Sequence, residues 1–382
     1  MIAKKLRIVA TAFFMGAVAV TAAGVLTATP AEAAAVRPAV GKPLQAAINA
    51  AKAGHYDEAM SQLRKAEAIG GLSAEEQKIV NQTHDFIAVK SGGSVGVNNA
   101  VTAQAKFDTD YRARRYADVI KDADMLRKYN ALNTRNMQVI AQAYYLMRDF
   151  KGCVKYTKSI GGPALELQMR CAYDAHDDST YRDTLEKLVS ATNKPEYWAR
   201  LIKFSEGAKA LSDQQSLDIY RIKYLTKNVQ RADDYFAMAQ FALQFGFAAE
   251  AKGVIDAGMK AGVLKDVRAQ RIAKMANDTL ASNMRNLPRT VKEANASKTG
   301  DLLIKLGQDY CGMNRGSDAV AAVKAGIAKG VSDPDNAQIR LGHAYFVAGQ
   351  KAQALAAFAK VKSKGTNAKL TADLWSLYVR SH

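Results

Sequence analysis

Two stretches near the end of the chain are written to one rule. LGQDYCGMNRGSDAVAAVKAG occupies 306–326, and LGHAYFVAGQKAQALAAFAKV begins 35 residues later, at 341–361. Each opens with Leu-Gly, and Tyr310 and Tyr345 fall one helical turn after the glycine, on the same face. Ala319 and Ala354 lie twelve after it, followed at +4 by Val323 and Phe358. The small points let two antiparallel helices approach, and the large residue fills the space beside them. Asn314-Arg315-Gly316 and Gly349-Gln350 supply the turns between. A unit this short buries only part of its apolar face, so a chain that repeats it must stack the copies.

The same grammar recurs upstream. Ala239 and Ala251 hold the two small points in AQFALQFGFAAEAKGVI, and Ala141 and Cys153 hold them around IAQAYYLMRDFKGCV. Earlier come Ala47 and Ala59, then Phe107 and Val119. An aromatic residue three before the second point (HYDEA, RYADV, DFKGC) marks the start of a second helix. Gly and Pro are sparse inside the long segments while Ala, Leu, Lys, Gln and Met abound, which is helix-forming chemistry. Strand-like alternation of β-branched residues is almost absent.

GHYDEA, AYYLMRDFKGC and LGHAYFVAGQKAQALAAFAKV resemble tetratricopeptide repeats, the helix-turn-helix unit of about 34 residues. The resemblance implies an all-α fold, a right-handed α-solenoid of antiparallel helix pairs with about ten units. It departs from the pattern where the first units lack Leu-Gly and where 160–235 and 262–300 are degenerate. The expected layout is a signal segment at 1–33, a linker at 34–42 and N-terminal repeat helices at 43–90. A Gly-rich joint at 91–100 precedes a degenerate array at 101–300, two clear units at 301–370 and a capping helix at 371–382. A second weak point is expected near Ser297 to Gly300.

Lys4, Lys5 and Arg7, an uncharged run from Ile8 to about Leu26, and Ala31-Glu32-Ala33 form a secretory signal. Cleavage after Ala33 is expected to leave a periplasmic protein that does not span the membrane. The formal charge of +18 falls to about +16 without that segment, which bears on partners and not on fold. An exported chain does not meet nucleic acid; anionic envelope polymers and acidic protein surfaces are the matching targets. Three cysteines are too few for a disulfide scaffold. Cys153 and Cys171 either bridge neighbouring helices or serve as two small packing residues.

No constellation for catalysis, metal or cofactor emerges. The histidines His55, His84, His176, His343 and His382 are scattered, and no metal-ligand, phosphate-loop, dinucleotide or nucleophile-elbow motif is present. Paired acids such as Asp177-Asp178 sit at turns, where a helix N-terminus favours them.

In tetratricopeptide repeats the residue after the glycine point faces the concave side. The resemblance therefore assigns Gln142, Gln240, Gln308 and His343 to a partner groove, with Gln138, Tyr145, Phe236, Ile339 and Phe346 beside them. Amides and aromatics suit an extended peptide, which carries a donor and an acceptor per residue. The alternative reading of all these positions is a solvated helix face. Arg112, Arg114 and Arg115 in YRARRY form a basic patch for acidic partners or anionic glycan, or else a solvated turn. The segments LPRTVKEANASKTGDLLIKLG and NKPEYW are similar to a family of exported proteobacterial repeat proteins, some of which accompany TonB-type energy-transducing machinery. The expected function is thus a periplasmic, non-enzymatic scaffold that holds an envelope protein or peptide without metal or cofactor. The alternative is a binder of anionic polysaccharide or lipopolysaccharide.

Overall fold

A computed structural model describes residues 36–92, 100–363 and 365–382, so the expected signal segment and most of the expected Gly-rich joint lie outside the described residues. The described residues form nineteen α-helices and one 3-10 turn. They divide into two compact units, 1–106 and 107–382. That division falls beyond the expected joint at 91–100.

In the first unit α1 (Pro38–Ala53), α2 (Tyr56–Glu67) and α3 (Ala74–Lys90) pack around Leu44, Ala47, Ala59, Leu63, Val80 and Ile87. Ser73 caps α3 by accepting from the Glu76 N–H, and the Glu76 carboxylate accepts from the Ser73 N–H in return. Arg37 completes the lock with its guanidinium and its backbone N–H on the same carboxylate, which holds Glu76 down at about 2.

The boundary lies within α4 (Ala100–Arg112). Then follow α5 (Tyr116–Lys128), α6 (Thr134–Leu146), α7 (Phe150–Ile160), α8 (Leu165–Asp174), α9 (Asp178–Thr192) and α10 (Pro195–Glu206). After them come α11 (Asp213–Leu225), α12 (Ala232–Gln244), α13 (Ala248–Lys260) and α14 (Val267–Ala296). The chain ends with α15 (Asp301–Gly312), α16 (Gly316–Lys329), α17 (Pro334–Val347), α18 (Lys351–Phe358) and α19 (Asn367–Ser381).

Seven helix pairs share one turn. A residue in the left-handed region stands two before the second helix at Gly54, Arg114, Arg148, His176, Gly246, Asn314 and Gly349. It ends the first helix and reverses the chain within a few residues. The second helices begin at the aromatics that the pattern marks, Tyr56, Tyr116 and Phe150. The second small points, Ala59, Val119, Cys153, Ala251, Ala319 and Ala354, have no exposed surface. Gly342 shows why the first point is small: a Cβ there would meet the Phe358 ring at 2.3 Å.

Two regions depart from the ten-unit array. Where a degenerate pair is expected at 262–300, α14 runs unbroken for 30 residues. No residue from 277 to 293 is fully buried, so nothing folds this length back on itself. The bend that follows is held rather than loose: the Gly300 N–H donates to Gly330 O at 2.7 Å, and a Cβ at Gly300 would overlap Gly326 O. The last helix is also more than a cap. α19 packs on α17 and α18 but also on α9 and α11. Arg182 reaches Asp373 at 3.0 Å, and Asn193 donates to Ser381 O at 3.2 Å. One apolar core therefore joins Leu185, Trp198 and Ile222 to Phe358, Trp375 and Leu377.

Candidate partner-binding face

Two first helices carry the same three positions relative to their small point. On α6 these are Gln138, Gln142 and Tyr145 about Ala141; on α17 they are Ile339, His343 and Phe346 about Gly342. Each set lies on one helix face. On α17 that face is covered by the chain itself. Trp375 of α19 lies 4.9 Å from the His343 ring and 5.7 Å from Phe346, and Tyr378 lies 5.6 Å from Phe346. Ile339 and His343 are buried as a result.

On α6 the corresponding helix, α8, leaves more of the face open among the described residues. Gln138 and Gln142 are exposed; Gln138 donates to Pro163 O, and Gln142 accepts from the Tyr111 hydroxyl. Tyr145 instead opens onto a groove of about 450 Å³ between α6, α8, α9 and α10, lined by Tyr173, Tyr181 and Tyr197 with Glu166, Asp174, Glu196, Arg170 and Arg200. A second hollow of about 540 Å³ shares Tyr145, Tyr173 and Asp174 and reaches Arg148, Phe150 and His176. Tyr173 is 65% exposed and lies 5.5 Å from the Tyr181 ring. The Tyr197 hydroxyl donates to Glu166, which keeps the phenol neutral and pushes it up to about 12. A hydrogen bond to Asp174 raises Tyr145 in the same way. Rigid tyrosines with acids and guanidinium groups between them present apolar faces and both kinds of hydrogen-bonding group.

Gln308, the third expected groove residue of this kind, lies in a buried ionic centre. Asp218 and Arg221 come from α11, Glu250 from α13, Gln308 from α15, and Arg340 and His343 from α17. Asp218 accepts from Arg221 and from Arg340 at 3.0 Å each, while Glu250 takes two hydrogen bonds of 2.6 Å from Arg221. Gln308 Oε1 accepts from Arg221 at 3.2 Å and Arg340 at 3.3 Å. Two carboxylates thus match two guanidinium groups, which offsets the cost of removing four charges from water. Burial and the two guanidinium groups hold His343 well below the usual histidine range, so it is neutral at pH 7. Gln308 and Arg340 also line a cleft of about 410 Å³ between α11, α12, α15 and α17.

The other expected residues are dispersed. Phe236 is buried with the Arg268 guanidinium 4.2 Å above its ring, and Gln240 is exposed. Within YRARRY, Arg112 is exposed, Arg114 is the left-handed turn residue, and Arg115 is engaged by Asp110. Cys153 and Cys171 form a disulfide between α7 and α8, the bridging alternative. The Cys311 thiol is buried and pushed up to about 12, so it is protonated. Among the described residues no group of histidine, cysteine, aspartate or glutamate could hold a metal ion, and no helix is long and apolar enough to cross a membrane. Sequence reasoning missed Tyr173, Tyr181 and Glu166, which lie where the repeat pattern fades. The one signal near them was NKPEYW, which contains Tyr197.

No family model matches the chain, and no curated protein matches it. Solved structures similar to it include a tetratricopeptide repeat protein from Parabacteroides merdae ATCC 43184, at 10% identity over 89% of this chain and 98% of that one, with a TM-score of 0.25. The tetratricopeptide domain of P58(IPK) matches at 10% identity over 88% of this chain and 77% of that one, with a TM-score of 0.25. A chain of the anaphase-promoting-complex assembly Cut9-Hcn1 matches at 10% identity over 85% of this chain, with a TM-score of 0.23, and this chain spans 66% of its length. At these TM-scores the likenesses carry no weight. The shared turn, the small points and the helix pairs themselves make the described chain an all-α, tetratricopeptide-like array.

Proposed function

We propose that the chain is a non-enzymatic interaction scaffold of the periplasm, exported by 1–33 and cleaved after Ala33, that holds a segment of an envelope protein on the open face of α6, α8, α9 and α10. One observation supports this reading above the others: the equivalent face of α17 is covered by an aromatic helix of the chain itself, whereas among the described residues that of α6 leaves Gln138 and Gln142 exposed and Tyr145 on an open groove. Trp375 and Tyr378 are a sample of what such a face accepts, an amphipathic segment that brings aromatic side chains. Tyrosines contribute large contact areas at small entropic cost, so an open row of them suits a protein partner. Service to TonB-type machinery belongs to the same proposal, its support being the LPRTVKEANASKTGDLLIKLG and NKPEYW resemblance.

The test is a retained envelope partner measured against the full mature chain and against Tyr145→Ala/Tyr173→Ala. The reading expects the double variant to weaken retention at least about tenfold, the loss of two aromatic contacts, with folding unchanged. Retention that ignores both tyrosines, or that survives only when the Arg112–Arg115 cluster is intact, contradicts it. N-terminal sequencing of the mature protein checks the cleavage site.

A further inference from the structure

The 410 Å³ cleft between α11, α12, α15 and α17 is independent of the tyrosine face. Its volume lies within the ~300–1,000 Å³ of small-ligand sites. Four features of its lining restrict what it can hold. Four carboxamides converge from four helices: Gln214 on α11, Gln244 on α12, Gln308 on α15 and Asn336 on α17. A carboxamide carries a donor and an acceptor; Gln244 Nε2 donates to Asp213 and Asn336 Oδ1 accepts from Arg340, which leaves the Gln244 carbonyl and the Asn336 amino group for a ligand. The lining offers no surplus of positive charge: Asp301 and Asp333 face Lys305 and Arg340, and Arg340 is paired with Asp218. Phe245 contributes a half-buried ring, 5.9 Å from that of Phe247, as an apolar wall.

The fourth feature is a donor left over. Arg221, Arg340 and His343 all approach Gln308 Oε1, which fixes the amide's orientation and leaves Nε2 as the free end. Gln308 is 2% exposed, and its Nε2 has no hydrogen-bond partner. A buried donor of this kind is costly unless an acceptor reaches it. Arg340 is unavailable to an anion because Asp218 already takes its charge. Lys305 is the only lining cation without a hydrogen bond or ion pair among the described residues, and Asp301 and Asp333 oppose it at the same cleft.

We infer that this cleft binds a neutral polyhydroxylated ligand, a saccharide of one or two rings, with hydroxyls on the carboxamides and one ring face against Phe245. A hydroxyl oxygen accepts from Gln308 Nε2, and vicinal hydroxyls pair with the carboxamides of Gln214, Gln244 and Asn336. Asp301 and Asp333 exclude a strongly anionic ligand, and convergence from four helices favours a compact ring over an extended peptide.

Calorimetric titration of the full mature chain with cellobiose, lactose and N,N′-diacetylchitobiose tests this. At least one disaccharide is expected to bind with a Kd of about 1 mM or tighter, a typical weak-site affinity. Gln214→Ala/Gln244→Ala, whose residues lie at the rim, should weaken it at least about tenfold, while Tyr173→Ala leaves it unchanged. Gln308→Glu, which replaces the free donor by an acceptor, should also weaken it; the rim pair keeps the test valid if that buried variant misfolds. Failure of all three sugars overturns the inference, as does sugar binding indifferent to the rim pair. So does preferential binding of N-acetyl-dialanine methylamide, or of a uronate disaccharide with steep salt dependence.

Discussion

The face of α6 and the face of α17 start from the same repeat register and end in opposite conditions. On α17, Ile339, His343 and Phe346 lie beneath Trp375 and Tyr378 of the chain's own last helix. On α6, Gln138 and Gln142 are exposed, and Tyr145 opens onto a groove of tyrosines and charged groups. The difference is written in residue type. Ile and Phe at the flanking positions of α17 must be covered, whereas Gln at two of three positions on α6 tolerates water. One repeat face thus serves as core at the end of the chain and as surface near its middle.

The largest effect should come from uncovering α17. Trp375 is fully buried, stacked 6.1 Å from Phe358, and Trp375→Ala should cost about 3–5 kcal/mol by denaturant unfolding. Tyr173→Ala on the open face should change stability by less than about 0.5 kcal/mol. Equal losses from the two would erase the distinction between core and surface.

Each face is also braced differently. α19 ties α17 to α9 and α11 through packing and one ion pair, whereas Cys153–Cys171 ties α8, which lines the tyrosine groove, to α7. A bond closing a loop of this size contributes about 3 kcal/mol in the chain-entropy account. Cys153→Ser with Cys171→Ser should lower stability by about that amount and loosen hydrogen-exchange protection in α7 and α8 more than in α17.

The small points sharpen the comparison further. Gly342 lies against the Phe358 ring, so Gly342→Ala should destabilise by about 1–3 kcal/mol through overpacking. Ala141 already accommodates a methyl group at the same point of α6, and Ala141→Gly should cost only about 0.5–1 kcal/mol, mainly in helix propensity.

A further effect, confined to a pH window, lies outside both faces. Asp309 sits in a hollow between α14 and α15 with Leu287, Leu306 and Met313, and burial raises its carboxyl to about 7 although Lys305 pulls it down. Unfolded aspartate titrates near 3.9. The native state therefore holds the extra proton between about pH 4 and pH 7, and the stability of the neutral acid is lost as pH rises through that window. About 1–2 kcal/mol of decline is expected after allowance for solvent, and Asp309→Asn should flatten it. A stability curve of unchanged slope in the variant would assign the dependence to other groups.

Much of the array was legible because its signals are local. Tyr56, Tyr116 and Phe150 start helices because each follows a tight turn, and the small points are spaced within one hairpin. What escaped depends on distant partners. Asp218 and Arg340 are 122 residues apart, and nothing beside either residue announces the other. Gln308 and His343 look like groove residues by register, yet α11 and α19 bury them. The 30-residue α14 replaced an expected pair because its sequence lacks a second small point and a turn, and Pro288 did not end it.

The central claim is that the α6 face is where a partner sits, as α19 sits on α17. Site-specific photocrosslinking in intact cells tests it most directly, with the photoreactive residue placed at Gln142 and, as a control, at exposed Lys151 on α7. A discrete protein adduct from position 142 that disappears in Tyr145→Ala/Tyr173→Ala and is absent from position 151 is the predicted result. No protein adduct from position 142, or an equal one from position 151, would contradict the account.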